Sequence, residues 1–421
     1  MKKKLVFITA RLPYPATSGR KNVMYNYCKI LHEILGFEIT VISFLEKDDD
    51  VKLKPNFIEN VIALENVSGK QKMKNLLTKT LLTKKMPMQV ALFYDPNIKK
   101  RIQEELKRIN PAVVIADMVR TTEYAKDFPG YKIADLDDLI SIRYERQMDM
   151  DMRSVNPYGA YLYTMPRAFQ KILELNFLKR VILGNEIKLL KKYERSIAQK
   201  YDKTVFVAQH EADILNSELN FEKALGIPLG VDLEYFSKYL NKIDVEQNTI
   251  AFLGAMSVAH NEAGVIHFVE NILPLIRKKV PDARFAVVGG GVTEKLRAYA
   301  NDFIEFTGRV DDVRTAVGKY QVFVCPLTFG SGIKTKNLEA MAMGVPVVTT
   351  GIGAENINAV AGKDWIVADD NQVFADAVVE IMKNKGLHDQ LMTNGYLYVK
   401  NNFTWKVAEE KMKELFNEIE K

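Results

Sequence analysis

The sequence predicts an α/β protein with two doubly wound parallel sheets. Three observations predict it. The chain has 421 residues, too many for one hydrophobic core. Short β-rich apolar runs alternate with helical periodicities along most of the length, the pattern of strands joined by crossover helices. Near the middle, Gly226-Ile227-Pro228-Leu229-Gly230-Val231-Asp232 is rich in proline and glycine with little periodicity, which marks a hinge between domains.

Composition narrows the class. Hydrophobic residues make up 47% and charged residues 27%, which is ordinary for a globular protein and excludes a disordered chain. The two cysteines, Cys28 and Cys325, lie far apart in apolar segments, so neither a disulfide framework nor a CxxC metal site is expected. The five histidines lack a metal-binding spacing such as HExxH. The net charge of +6 is mild for this length; it permits an anionic partner without implying nucleic acid. Lys2–Lys4 followed by Leu5–Ala10 is too short for a signal peptide, and Arg11 with Pro13 ends the run. No run reaches the roughly 18 apolar residues of a membrane span. A cytoplasmic protein is therefore expected.

Leu5–Thr9 reads as a buried parallel strand. The loop after it holds Arg11, Ser18, Gly19 and Arg20. Lys21–Leu35 has helical periodicity and Gly36 is its expected C-cap. Glu38–Phe44 is the second strand. This βαβ unit carries its glycine at the carboxyl end of the first strand, where α/β proteins bind ligands. It lacks a Gly-x-Gly-x-x-Gly fingerprint, which argues against a dinucleotide cofactor. Gly69–Val90 reads as one basic amphipathic helix, with Lys70, Lys72, Lys74, Lys79, Lys84 and Lys85 among leucines. Such a helix either lies on an anionic membrane surface or packs on the sheet with a solvated lysine face.

Val113–Ala116 and Tyr131–Leu136 are further strands. The second ends in Asp135-Leu136-Asp137-Asp138, where alternation sends Asp135 and Asp137 to one side. Three acids in four residues suit a metal, an acceptor hydroxyl, or the N-cap of the following helix. Met148–Ile182 has no strand pattern and reads as helical elaboration. Glu186–Lys200 is a long helix and Lys203–Ala208 a strand.

After the hinge, strands are expected at Thr249–Leu253, Arg284–Val288 and Ile304–Thr307, with a helix over Glu262–Ile276. Asp311 and Asp312 cap a helix after Gly308-Arg309-Val310. Later come a strand over Asp364–Val367 and a terminal helix over Thr404–Lys421. The most informative stretch is Pro326–Glu355, PLTFGSGIKTKNLEAMAMGVPVVTTGIGAE. It joins a strand over Val322–Cys325 to a glycine loop with Gly330 and Gly332, then a helix from Lys336, then a strand over Pro346–Thr350. Free amide groups in a helix's first turn attract anions. Lys334 and Lys336 stand where a diphosphate needs countercharge. Glu339, one turn further on, can accept two hydroxyl hydrogen bonds and suits a ribose. The stretch therefore predicts a site for a nucleoside diphosphate.

Glu339-Ala340-Met341-Ala342-Met343-Gly344-Val345-Pro346-Val347-Val348 resembles the donor-site signature of glycosyltransferase family 4, whose members retain anomeric configuration and have the GT-B fold. The pattern's first Glu would fall at Ser331, a departure. Gly332…Lys336-Asn337-Leu338-Glu339 instead fits a subgroup of surface-polysaccharide sugar transferases. The resemblance implies two Rossmann-like domains, residues 1–228 on the acceptor side and 229–402 for the donor, with 403–421 as a helix crossing back. It implies transfer from a nucleoside diphosphate sugar, without a metal or other cofactor, to a saccharide or lipid-linked acceptor at the cytoplasmic face of a membrane.

It also implies roles. Lys336 and Glu339 act at the donor, with Lys334, Ser331, Gly332, Ile333, Thr335 and Leu338 around them. Arg309 and Val310 sit by the base, while Gly254, Gly353 and Glu355 edge the site. Gly19 faces the diphosphate. Asp137 serves as base or hydroxyl clamp, with Arg11, Arg20, Asp135 and Asp138 on the acceptor side. The usual Arg and Lys of the loop Ala255–Asn261 are absent, leaving His260 and Asn261 as weak candidates. Two other readings share the fold: an epimerase of nucleotide sugars, and a silent subunit that only binds them.

Overall fold

The computed structural model describes residues 3–16, 19–46, 49–148, 175–240, 242–330 and 332–419. Contacts divide the chain into two units, 1–228 with 408–421, and 229–407. The helix Trp405–Ile419 therefore begins in the second unit and ends in the first.

The first unit holds a seven-stranded sheet in the order β3-β2-β1-β4-β5-β6-β7. The strands are β1 Lys4–Thr9, β2 Glu38–Phe44, β3 Asn60–Leu64, β4 Val113–Asp117, β5 Tyr131–Asp137, β6 Lys203–Phe206 and β7 Ala224–Gly226. Every pairing is parallel. In β1, Leu5–Thr9 are all buried, because helices cover both faces of a doubly wound sheet. The second unit holds six strands in the order β10-β9-β8-β11-β12-β13, again all parallel. They are β8 Glu246–Leu253, β9 Arg284–Val288, β10 Ile304–Gly308, β11 Tyr320–Cys325, β12 Val347–Thr349 and β13 Ile366–Val367. Each sheet reverses its winding once, between β1 and β4 and between β8 and β11. Crevices open at such switch points, beyond the carboxyl ends of the strands.

One expected element is corrected. The helix predicted over 69–90 is not continuous. Ser68 caps Gly69–Asn75, and the helix runs on with wider π-type turns through Leu76–Leu82. There it stops: Lys84 takes the left-handed φ of 51°, and Pro87 cannot continue a ladder that needs its amide hydrogen. A separate short helix, Met88–Ala91, follows. The buried Glu186 carboxylate accepts its first amides, from Met88 N at 2.7 Å and Gln89 N at 3.0 Å. The expected elaboration over 148–182 lies largely outside the described residues; a helix is described from Asn176 to Lys200.

Candidate functional site

In the second unit, the strand ends at the switch point carry a cluster of cations. The loop after β11 turns at Gly330 and Gly332, whose φ values of +136° and +76° are strained for any residue with a Cβ. The helix Thr335–Ala342 follows, with Lys334 at its N-cap. Lys336, in its first turn, reaches the loop after β8. Its Nζ donates to Asn261 Oδ1 at 2.6 Å and lies 4.2 Å from the centre of the Phe252 ring. A Cβ on Gly254 would stand 2.7 Å from Asn261 Nδ2 and 2.9 Å from that Nζ, so any larger residue there would displace the pair.

Among the described residues no carboxylate lies within ion-pair distance of Lys336. Burial is the chief reason its pKa falls to about 8, and neighbouring Lys334 adds to it, while Cys325 and Glu339 oppose. Lys334 is buried; its Nζ donates to Gly332 O at 2.6 Å and lies 3.8 Å from Glu355 Oε2. His260 is pushed down to about 4, by burial and then by both lysines, so it stands neutral beside them. Glu339 is half-buried and pushed up by burial, against the pull of Lys336 and a hydrogen bond from Thr335.

The other predicted donor residues fall around this cluster or behind it. Asn337 is buried and donates to Gly353 O at 2.8 Å, which ties the helix to the loop after β12. A Cβ on Gly353 would stand 2.0 Å from Thr349 Oγ1. Leu338 is wholly buried in the core, and Ile333 and Val310 pack on it half-buried. Arg309 is exposed and its Cβ is near Gly290. Ser331 lies outside the described residues. Asn261, a weak candidate from sequence, is the one side chain that fixes the Lys336 amine by a direct hydrogen bond among the described contacts.

In the first unit, the corresponding strand ends carry carboxylates. Arg20, one residue into the helix Gly19–Glu33, lies among three of them. Its Nε donates to Asp117 Oδ1 at 2.8 Å, its Nη1 to Asp137 Oδ1 at 3.0 Å, and its Nη2 lies 2.7 Å from Asp135 Oδ2. Asp117 and Asp135 are buried, and Asp137 is the member that keeps contact with solvent. Burial pushes both buried carboxyls up, and Arg20 offsets only part of that. One guanidinium faces three acids, and burial with the neighbouring carboxylates pushes Asp135 up to about 7, so near neutral pH the cluster shares bound protons instead of carrying three full charges.

The strand ends are also strained there: Met118 and Asp137 take φ of 59° and 69°, conformations that persist only where the surroundings enforce them. Asp138 pairs instead with Arg143, at 3.2 Å. Arg11 is half-buried and acts on Asp117 electrostatically. Gly19 is exposed at the helix start. Asp117 was not among the candidates, because its partner is 97 residues away and only the β1–β4 pairing brings them together. Among the described residues no group of three His, Cys, Asp or Glu is placed to hold a metal ion.

These clusters suit different chemistry. The cationic one offers buried countercharge and helix amides to a polyanion. The acidic one offers a single accessible carboxylate, held by its guanidinium, to a hydroxyl.

Residues 247–384 match the family model described as glycosyl transferases group 1. Over 242 residues the chain is 25% identical to an uncharacterized 44.6 kDa protein in the cps region of Klebsiella pneumoniae, covering 55% of this chain and 61% of that one. Over 205 residues it is 26% identical to the phosphatidyl-myo-inositol mannosyltransferase of Mycobacterium leprae, covering 47% of this chain and 54% of that one. The matches thus span little more than half the length of these relatives. The structure of Anabaena HepE in complex with UDP has the same fold, with a TM-score of 0.63 at 11% identity, covering 99% of this chain and 100% of that one.

Proposed function

We propose that this chain, which carries a glycosyl transferases group 1 domain over residues 247–384, is a retaining, metal-independent glycosyltransferase. It moves a hexose from a nucleoside diphosphate sugar to a hydroxyl acceptor. The observation that carries this reading is Lys336: a half-buried amine at a helix N-terminus, beside Lys334, with no carboxylate within ion-pair distance among the described residues. A desolvated cation whose hydrogen-bond partner is a neutral amide is costly and is relieved by a bound anion.

When the bond from the anomeric carbon to the β-phosphate oxygen breaks, charge builds on the departing diphosphate. Lys336, Lys334 and the amides of Gly332–Thr335 meet that charge without reorganising. Glu339 takes the ribose hydroxyls, and Arg309 and Val310 flank the base. Asp137 receives the acceptor hydroxyl. The acceptor is a lipid-linked saccharide of surface-polysaccharide or glycolipid synthesis, met at the cytoplasmic face of a membrane. The names of the relatives, a cps-region protein and a phosphatidyl-myo-inositol mannosyltransferase, support that class.

The test is a transfer assay with labelled nucleoside diphosphate sugars and a bacterial lipid extract, run with and without EDTA. Label should enter the lipid fraction with the donor's anomeric configuration, at the same rate in EDTA. Interconversion of free nucleotide sugars without transfer would make the chain an epimerase. Loss of transfer in EDTA, restored by magnesium or manganese, would overturn the metal-free mechanism.

A further inference from the structure

The helix Gly69–Leu82 is turned the wrong way round for a water-soluble fold. The residue it buries is polar: Asn75 donates to Ala91 O at 2.8 Å and to Tyr94 O at 2.6 Å, which fixes the helix rotation. The residues it turns outward are apolar. Met73, Leu77, Leu81 and Leu82 are exposed, Leu82 to 78%. Lys70 and Lys74 lie exposed on the same side. An amphipathic helix that packs on its own protein shows the opposite arrangement.

A second element does the same. At the start of the helix Asn176–Lys200, Phe177 is exposed to 79% and Val181 to 42%, with Arg180 exposed between them. The two elements are neighbours, since Leu76 from one and Ile182 from the other pack on the same pair, Met88 and Leu92. Residues 69–90 and 175–185 contain no aspartate or glutamate. Among the described residues, these two segments therefore expose apolar and basic side chains and no acid.

We propose that this face docks on an anionic lipid surface. Exposed leucines and a phenylalanine enter the acyl boundary, and the lysines meet acidic headgroups. A second copy of the chain fits poorly, because it would bring the same positive charge to the contact. The proposal builds on the lipid-linked acceptor proposed above, but its test needs no sugar transfer.

The full chain is sedimented with phosphatidylcholine vesicles, with and without phosphatidylglycerol. It should bind the anionic vesicles, and binding should weaken as salt is raised. Lys70→Gln and Lys74→Gln should each weaken binding about fivefold. Leu81→Ser and Phe177→Ser should each weaken it about tenfold. Nucleotide-induced thermal shifts, read on every variant, should be unchanged, which shows that the variants fold and keep the donor site. Equal binding to neutral vesicles, or none to anionic ones, would overturn the proposal. So would a dimer that Leu81→Ser dissociates, since a second copy would then be the occupant. Vesicle binding by a chain that gives no nucleotide shift would leave this surface standing and remove the sugar-transfer reading alone.

Discussion

The two units place their clusters at equivalent positions and build them around different ionisable groups. Both clusters lie at a switch point of a doubly wound sheet, where a helix start meets the ends of neighbouring strands. In the second unit the cluster is two lysines and a neutral histidine, with Glu355 3.8 Å from Lys334. In the first it is one arginine and three carboxylates, of which Asp137 keeps contact with solvent. The backbone decides where a ligand can approach; the side chains decide which ligand is stabilised there. The difference also concerns internal balance. Arg20 is committed to carboxylates of its own chain, whereas Lys336 makes its direct hydrogen bond to a neutral amide oxygen. One cation holds structure, and the other is held in readiness.

Replacing each cation by methionine separates these roles. Arg20→Met leaves buried carboxylates without a partner and should cost about 3–5 kcal/mol of stability. Lys336→Met removes a desolvated charge and should leave the stability of the free protein unchanged or higher, within about 1 kcal/mol. Urea unfolding of both variants checks the pair. Equal losses would mean that Lys336 is as much a structural ion as Arg20.

A smaller effect is expected from pH. In the free protein Lys336 titrates at about 8. A bound diphosphate favours the charged amine and raises that value, so the complex holds more protons than the free protein. Nucleoside diphosphate affinity should then be level with respect to this group below about pH 8. It should fall by up to about tenfold per unit above it. Calorimetry at pH 9 in two buffers of different ionisation enthalpy should show uptake of up to about one proton. Release, or no exchange, would place the anion away from this amine.

Much of this was legible in the sequence, for physical reasons. β1 and β2 are short, continuous apolar runs, because both sheet faces are covered. Lys334, Lys336 and Glu339 could be read because one loop and one helix turn carry all three. Asn261 and Asp117 are different: each acts on a residue 75 or 97 positions away, a distance that only strand pairing closes. β7 is three residues long and shades into the Pro/Gly hinge, so no periodicity reveals it. The break after Leu82 depends on the backbone of Lys84, a residue with no intrinsic preference for the left-handed region. The outward turn of Met73 and Leu77 depends on Asn75 finding two carbonyls 16 and 19 residues on.

The most direct measurement of the central claim is the turnover of Lys336→Ala on the cognate donor. A cation that meets charge developing on the leaving diphosphate acts more on the transition state than on the bound donor. The variant should lose about 10²–10³ in kcat and proportionately less in donor affinity, and Lys336→Arg should recover part of the loss. Near-normal turnover by a folded Lys336→Ala would contradict the account, leaving Lys336 as a half-buried amine with no part in the reaction.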